Sequence, residues 1–132
     1  MDAAQALADL TEISSQIESA ALFAEDGEVV ASTYSDEERA RAFVRAAREL
    51  LDGAATLRSA ASPNQTEVAT AEGSVFVVRG DGRLIAATTT PEPTVGLVFY
   101  DLKSCLRAAA EDKPKPKPKP RPRKKAEDAD GS

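Results

Sequence analysis

The sequence contains no histidine and a single cysteine, and each shortage removes a class of chemistry. Without histidine the chain cannot build a Ser-His-Asp triad, a Cys-His pair or a histidine metal site. Cys105 cannot form a disulfide within the chain, which agrees with a reducing compartment. A lone cysteine beside an apolar helical stripe is usually a small buried residue, so Cys105 is predicted to be inert. The sequence therefore predicts no catalytic residue, no metal site and no cofactor.

Two further absences concern nucleotides and membranes. No GxxxxGK[ST] phosphate-binding loop occurs, and Gly80 and Gly82 lack the third glycine of a dinucleotide-binding motif. No segment approaches the roughly 18 consecutive apolar residues of a membrane span. The first twelve residues lack the basic and apolar regions of a secretion signal. We expect a cytoplasmic protein that is not itself a GTPase.

Charge divides the 132 residues into two parts. Residues 1–112 hold 9 basic and 19 acidic side chains, a net charge of −10, whereas residues 113–132 hold 8 and 3, a net charge of +5. The composition predicts one compact domain over residues 1–110 and a disordered basic tail with an acidic end over residues 111–132. The basic residues of the tail are Lys113, Lys115, Lys117, Lys119, Arg121, Arg123, Lys124 and Lys125.

The tail alternates basic residues with proline (KPKPKPKPRPR), which biases it towards an extended polyproline II conformation. Its charge suits an anionic membrane surface or an acidic protein. No aromatic residue interrupts the basic block, so base stacking is unsupported and nucleic acid is the less favoured partner. The alternative is that the tail binds no partner and serves as a solubilising linker.

Residues 67–89 (EVATAEGSVFVVRGDGRLIAATT) are typical of three short antiparallel strands joined by tight turns, here called the meander. The Glu-Gly and Asp-Gly pairs at positions 72–73 and 81–82 suit two-residue hairpin turns, because such turns need positive φ angles. In the middle strand Val77 points to one face and Phe76 to the other. Both faces of this sheet are apolar, so both need helices to cover them.

Two strands and a helix are predicted before the meander. Residues 3–15 form an amphipathic helix, with apolar side chains at Leu7, Leu10, Ile13 and then Ile17. Residues 19–24 and 28–33 are apolar runs separated by Glu25-Asp26-Gly27, a strong hairpin signal. They are predicted to be the first two strands.

A long second helix is predicted to begin at a capping box formed by Ser35 and Glu38 and to end near Arg58. Its buried stripe is predicted to comprise Ala40, Phe43, Val44, Ala47, Leu50, Leu51, Ala54 and Leu57. Its outward row, here called the charged ridge, contains Glu38, Arg41, Arg45, Arg48 and Asp52. The ridge is either a solvated helix face or a partner surface.

Apolar residues at helical spacing from Val95 to about Ala110 predict a third helix. The order is therefore α-β-β-α-β-β-β-α. One long helix can cover one face of a five-stranded antiparallel sheet, and the two terminal helices can share the other face. The predicted fold is a three-layer α/β/α sandwich of the α+β class.

Three segments in this order resemble the bacterial branch of the Roadblock/LC7 (dynein light chain) family. They are ALFAEDGEVVAST (residues 21–33), VFVVRGDGRLIAATT (75–89) and VGLVFYDLKSCL (95–106). The likeness covers about the first 110 residues, and none of the segments is a catalytic signature. It implies the Roadblock fold, which is related in layout to profilin.

The resemblance also implies partners. It implies a homodimer or heterodimer in which the third strand extends the sheet across a two-fold axis and the second helices lie side by side. That strand would be Thr66, Glu67, Val68, Ala69 and Thr70, a short run with few large side chains that suits a sheet edge. A Ras-like small GTPase is the implied partner, and Glu38, Arg41, Arg45 and Arg48 would lie on or near its contact surface.

Three functions are compatible with these patterns. The first is a dimeric, non-enzymatic regulator or scaffold of a Ras-like GTPase. The second is a sensory module of profilin-like or PAS-like layout, which would be a monomer with an apolar pocket. The third is a dimeric adaptor that tethers partners through two basic tails and gains avidity from them.

Overall fold

The computed structural model describes residues 2–58, 64–80 and 82–111. The elements follow the predicted order. They are α1 (Ala3–Ile13), β1 (Ile17–Ala24), β2 (Val29–Ser32), α2 (Glu37–Arg58), β3 (Gln65–Thr70), β4 (Gly73–Gly80), β5 (Arg83–Thr89) and α3 (Val95–Glu111). The predicted basic tail from residue 112 onward lies outside the described residues. None of the described helices is long and apolar enough to cross a membrane.

The five strands form one sheet in the order β2-β1-β5-β4-β3. Every neighbouring pair is antiparallel, and β3, β4 and β5 form the predicted meander. The first and last strands of the meander have different positions. β5 pairs with β1 in the middle of the sheet, whereas β3 lies at one edge and β2 at the other.

One face of the sheet is covered by α1 and α3 together. Phe76, Ile85 and Leu22 are fully buried there under Val98 and Leu102 of α3. The ring of Phe76 meets Phe99 of α3 edge-on at 4.9 Å between centroids. Apolar side chains at helical spacing on α1 and α3 and at alternate strand positions therefore form one continuous core.

The other face is covered by α2. Phe23, Val77 and Leu84 of the sheet pack against Val44 and Leu51 of this helix. Val77 and Phe76 thus point to opposite faces, as their alternation predicts. The three-layer α/β/α sandwich and the five-stranded antiparallel sheet are confirmed.

The start of α2 differs from the prediction. The Asp36 carboxylate accepts a hydrogen bond of 2.9 Å from the Glu38 backbone amide. Asp36 therefore caps the helix, and the predicted capping box of Ser35 with Glu38 is wrong. An aspartate suits this position equally well, because its carboxylate satisfies an unpaired amide and favours the positive end of the helix dipole.

The first turn of the meander also differs by one residue. Thr70 pairs with Gly73, so the loop residues are Ala71 and Glu72 rather than Glu72 and Gly73. Gly73 has a φ of 145°, and a Cβ atom there would collide with the carbonyl oxygen of Thr89. The glycine is needed for close backbone approach rather than for the turn itself. The second predicted turn has Gly82 at φ 78°, and its partner Asp81 lies outside the described residues.

Two predicted core positions are exposed. Ile13 is 75% exposed and Leu57 is 85% exposed, and each lies in the last turn of its helix. Ile17 does not continue the helical stripe. It is buried as the first residue of β1, which begins two residues earlier than predicted.

Candidate functional site

The charged ridge lies along one flank of α2. Glu38, Arg41, Arg45 and Arg48 are all exposed, as predicted. Arg41 makes ion pairs with Glu37 at 3.8 Å and Glu38 at 3.5 Å on its own helix. Exposed pairs of this kind contribute about 0.3–0.5 kcal/mol each, so they orient Arg41 without immobilising it. The ridge can still exchange these contacts for a partner's carboxylates.

Arg48 ties the ridge to the turn between β1 and β2. Its guanidinium group lies so close to Gly27 that a Cβ atom there would meet the Arg48 Nη1 atom at 2.5 Å. Gly27 has a φ of 96° and closes the predicted hairpin through a bond of 2.9 Å from its amide to the Ala24 carbonyl. The neighbouring Glu25 carboxylate pairs with the Arg79 guanidinium at 3.1 Å. The ridge is therefore continuous with a mixed-charge cluster at this end of the sheet.

The flank of α2 opposite the ridge is apolar. Phe43, Leu50 and Leu57 recur every seven residues, which keeps them on one side of a helix. Phe43 and Leu50 are half-buried against the core, and Leu57 is almost fully exposed. These three side chains, with Val68 of β3 and Val75 of β4, are called the open strip below.

The open strip exists because one helix cannot cover five strands. The ridge flank of α2 faces β2, since Arg41 lines a groove with that strand. The apolar flank consequently faces β4 and β3. Val75 is only partly buried and Val68 is 37% exposed, although both belong to the face that α2 covers. Sequence reasoning placed the helical part of the strip in the core. The sequence signal was the pair of adjacent apolar residues at Phe43–Val44 and again at Leu50–Leu51. Such pairs indicate that the apolar face of α2 is wider than the part that packs against the sheet.

The predicted dimer strand lies beside this strip, at the sheet edge. β3 pairs with β4 on one side, and among the described strands nothing pairs with it on the other. Thr66 and Glu67 are half-buried, whereas Val68, Ala69 and Thr70 are exposed. The Glu67 carboxylate accepts a hydrogen bond of 3.3 Å from the Ser74 hydroxyl of β4. Its charge is thereby held over the sheet rather than beyond the edge.

A second surface runs along the other edge. A groove of about 580 Å³ lies between β2 and the beginning of α2. Its walls are formed by residues from Gly27 to Ser32 and by Tyr34, Ser35, Glu37, Ala40 and Arg41. The groove places Arg41 of the ridge opposite the backbone of an edge strand. Sequence reasoning did not identify it, because strand order decides which elements meet there.

The apolar pocket that a small-molecule sensor needs is poorly developed. The apolar groove between α1 and α3 has a volume of about 190 Å³ and is lined by Ala6, Asp9, Leu10, Ile13, Asp101, Ser104, Cys105 and Ala108. Ligand sites usually enclose about 300–1,000 Å³. Because this groove is smaller and two carboxylates lie in its wall, it gives the sensory interpretation little support.

Cys105 is buried in the wall of that groove and is 5% exposed. Burial raises the pKa of its thiol from 9.0 to about 12, and the Asp9 carboxylate adds to this shift. A protonated thiol is a poor nucleophile and a poor metal ligand. In the described part of the chain, no three His, Cys, Asp or Glu side chains gather as a metal-binding set.

Comparison with known proteins finds similar structures but no similar family or curated sequence. No protein-family model matches the sequence, and no curated protein is detectably similar to it. A Roadblock/LC7 domain from Streptomyces avermitilis superposes with a TM-score of 0.72 at 20% identity, over 84% of this chain and 97% of that one. Myxococcus xanthus MglB superposes with a TM-score of 0.67 at 13% identity, over 83% and 85% of the two chains.

A third structure, of MglB with a tetrameric arrangement, has a TM-score of 0.67 at 15% identity and covers 83% of this chain and 85% of that one. At such identities the matches describe architecture and leave the chemistry of individual positions open. They agree with the resemblance carried by residues 21–33, 75–89 and 95–106. The chain has the Roadblock/LC7 fold.

Proposed function

We propose that this protein is a non-enzymatic regulator or scaffold that forms a homodimer and binds a Ras-like small GTPase. The observation that carries the proposal is the open strip beside the edge of β3, along which no described strand pairs. Apolar side chains at the border of a sheet edge are typical of a surface that another chain covers. The Roadblock/LC7 fold supports the identity of the partners, because the family resemblance implies both a second protomer and a GTPase.

The geometry suits a two-fold dimer. If β3 pairs with the β3 of a second copy, the unpaired backbone groups of both strands are satisfied and the sheet becomes continuous. Each α2 then brings its apolar flank towards its symmetry mate across the open half of the sheet. A stable interface of this kind buries about 800 Å² per protomer. The open strip would supply its apolar centre.

The GTPase surface is assigned to the charged ridge. The ridge occupies the flank of α2 opposite the open strip, so a dimer formed through the strip leaves it accessible. Basic side chains at Arg41, Arg45 and Arg48 suit an acidic region of a partner, and Glu38 adds one carboxylate. To act as a regulator, the surface must bind one nucleotide state more tightly than the other.

The test is affinity capture from native lysate with the full-length chain as bait, in GDP and in a non-hydrolysable GTP analogue. Retained proteins are identified by mass spectrometry. The variant Arg41→Glu with Arg45→Glu reverses the ridge and leaves Arg48 on Gly27. The matched control, Lys103→Glu with Arg107→Glu, makes the same charge change on the exposed surface of α3.

We expect a small GTPase on the wild-type and control baits, more in one nucleotide than the other, and about tenfold less on the ridge variant. Circular dichroism must show equal helix content for both variants. Equal capture by the ridge and control variants would show that the GTPase does not bind through the charged ridge of α2. Capture of no GTPase in either nucleotide would contradict the proposed function.

A further inference from the structure

The β2 edge offers backbone groups that no described strand uses. β2 pairs with β1 alone among the described strands. Leu22 pairs with Ala31 and Phe23 with Val29, so Val30 is an extra residue without a partner on β1. Its side chain is 39% exposed. An edge of this kind can accept an extended segment as an additional strand.

The groove along this edge is acidic. Glu28 and Glu37 line it, and Asp26 lies in the turn at its end. The positive charge of Arg41 is offset by its ion pairs with Glu37 and Glu38. Two further guanidinium groups lie at lining residues, Arg48 against Gly27 and Arg39 over the ring of Tyr34. The four carboxylates of Asp26, Glu28, Glu37 and Glu38 still outnumber the three guanidinium groups, so the net charge of the groove is negative and complementary to a basic segment.

A basic segment with the right backbone occurs in the same chain. In residues 113–123 every second residue is proline (KPKPKPKPRPR). Along a strand, the amide and carbonyl of alternate residues point to the same side. If the basic residues face β2, every one of them can donate its amide, and every proline lies on the side that needs no donor. The alternation that excludes this segment from the centre of a sheet therefore permits it at an edge.

The segment can reach the groove. α3 ends at Glu111, and its residues Leu106 and Arg107 lie beside Val78, Arg79 and Gly80. Gly80 and Ala24 both pair with Arg83, so the end of α3 and the start of the β1–β2 turn lie at the same end of the sheet. β4 and β2 are three strand spacings apart, about 14 Å. Eleven extended residues span about 34 Å.

The irregular edge of β2 disfavours the simplest alternative, which is pairing with the β2 strand of a second copy. A short edge strand with an extra residue discourages pairing with a copy of itself. A proline-interrupted segment pairs on one side only and ends the sheet there. It suits a short, irregular edge better than a second β2 does.

We propose that residues 113–123 dock along β2 of their own chain as a sixth strand, with their basic side chains over the acidic groove. Four residues of β2 leave room for about two Lys-Pro repeats. Free segments of this composition are disordered, and docking must offset the entropy of ordering them. The docked strand covers the groove side of Arg41, so the tail competes with any partner that uses this part of the ridge. The docking itself does not depend on the proposed GTPase partner.

The experiment is hydrogen exchange of the full-length chain, followed by mass spectrometry on fragments that cover β2 and, as an internal reference, β3. Two tail variants separate charge from register. The first replaces Lys113, Lys115, Lys117 and Lys119 with Gln. The second exchanges residues 114 with 115 and 118 with 119, through Pro114→Lys, Lys115→Pro, Pro118→Lys and Lys119→Pro. It keeps composition and charge but destroys the two-residue period.

We expect the β2 fragment of the wild-type chain at low salt to exchange about five- to tenfold more slowly than that of either variant, because the first variant loses two or three charge contacts and the second loses strand hydrogen bonds of similar strength. High salt should remove the difference, and the β3 fragment should exchange equally in all three. Protection should also be independent of protein concentration.

Three results would overturn the proposal. Equal β2 exchange in all three chains means that the tail does not dock there. Protection that persists in the exchanged-proline variant means that charge alone holds the tail, without strand pairing. Protection that falls on dilution means that the tail belongs to a second copy rather than to the same chain.

Discussion

Among the described helices, α1 and α3 together cover one face of the sheet, whereas α2 alone covers the other. Under α1 and α3 the core extends from β1 across β5 to β4, and Phe76 is fully buried. Under α2 the cover is complete over β1 and β5 and incomplete over β4 and β3, where Val75 and Val68 remain partly exposed. The face under α1 and α3 is fully covered. The second combines a core with a surface, and this difference locates the proposed interface.

The largest effect is expected from truncating the same residue type on each face. Phe76→Ala removes a fully buried ring that contacts Phe99, and we expect a loss of about 3–5 kcal/mol in the free energy of unfolding. Phe43→Ala removes a half-buried ring that meets Tyr34 edge-on at 5.5 Å, with an expected loss of about 1–2 kcal/mol. Urea denaturation at low protein concentration measures both. Equal losses would show that the second face is closed as completely as the first.

The closed face should also be chemically inert. Raising the thiol pKa from 9.0 to about 12 lowers the thiolate fraction about 1000-fold at pH 8. A thiolate of higher pKa is intrinsically more nucleophilic, which offsets part of this loss, so we expect Cys105 to react with iodoacetamide at least about 30-fold more slowly in the folded chain than in urea. A Tyr100→Cys chain that also carries Cys105→Ala presents a thiol on the exposed surface of α3 and should react at the ordinary rate.

The raised pKa of Cys105 also predicts how the free energy of unfolding depends on pH. Because the folded pKa lies above the unfolded value, the protonated thiol contributes stability that is fully present below about pH 9 and is lost as the pH rises towards 12. Cys105→Ala should lack this component of the alkaline loss of stability. A wild-type thiol that reacts at the ordinary rate at pH 8 would contradict the buried position.

Charges placed in the open strip should weaken the proposed dimer. We expect Leu57→Asp and Val68→Lys each to raise the dissociation constant at least about tenfold, because an unpaired charge would be buried at the apolar centre of the interface. Light scattering coupled to size exclusion measures the mass against 13.9 kDa for one chain. Tyr100→Asp, on the exposed surface of α3, is the matched control. A wild-type chain that is monomeric at every concentration would refute the dimer.

The smallest effect concerns the first residues of α2, the one described helix that covers the second face. Asp36→Ala removes the acceptor of the Glu38 amide and should cost about 1 kcal/mol in the free energy of unfolding. Ser35→Ala should change it by less than about half of that. Thermal unfolding distinguishes the two. A larger loss from Ser35→Ala would restore the capping box that the sequence pattern predicted.

Local patterns predicted most elements to within two residues. Helix α2 is an example, because its periodic apolar residues extend to Leu57 and the polar residues before Glu37 place its start within one residue of the observed one. The candidate site was predicted less well. The charged ridge could be identified, since its members share a helix face, but its relation to β2, to Gly27 and to the open strip depends on residues distant in sequence. The dimer and GTPase roles of the predicted residues stay predictions.

The sequence by itself determined the order of the elements, the apolar faces of each, and the contrast in net charge between residues 1–112 and residues 113–132. These follow from spacings of two to four residues and from composition, which are local properties. Only the tertiary structure decided that β1 pairs with β5, which leaves β2 and β3 at the edges and the apolar flank of α2 facing the open half of the sheet. Ile17 meets Thr89 across that pairing, and contacts over such separations depend on the packing of the whole core rather than on any nearby pattern.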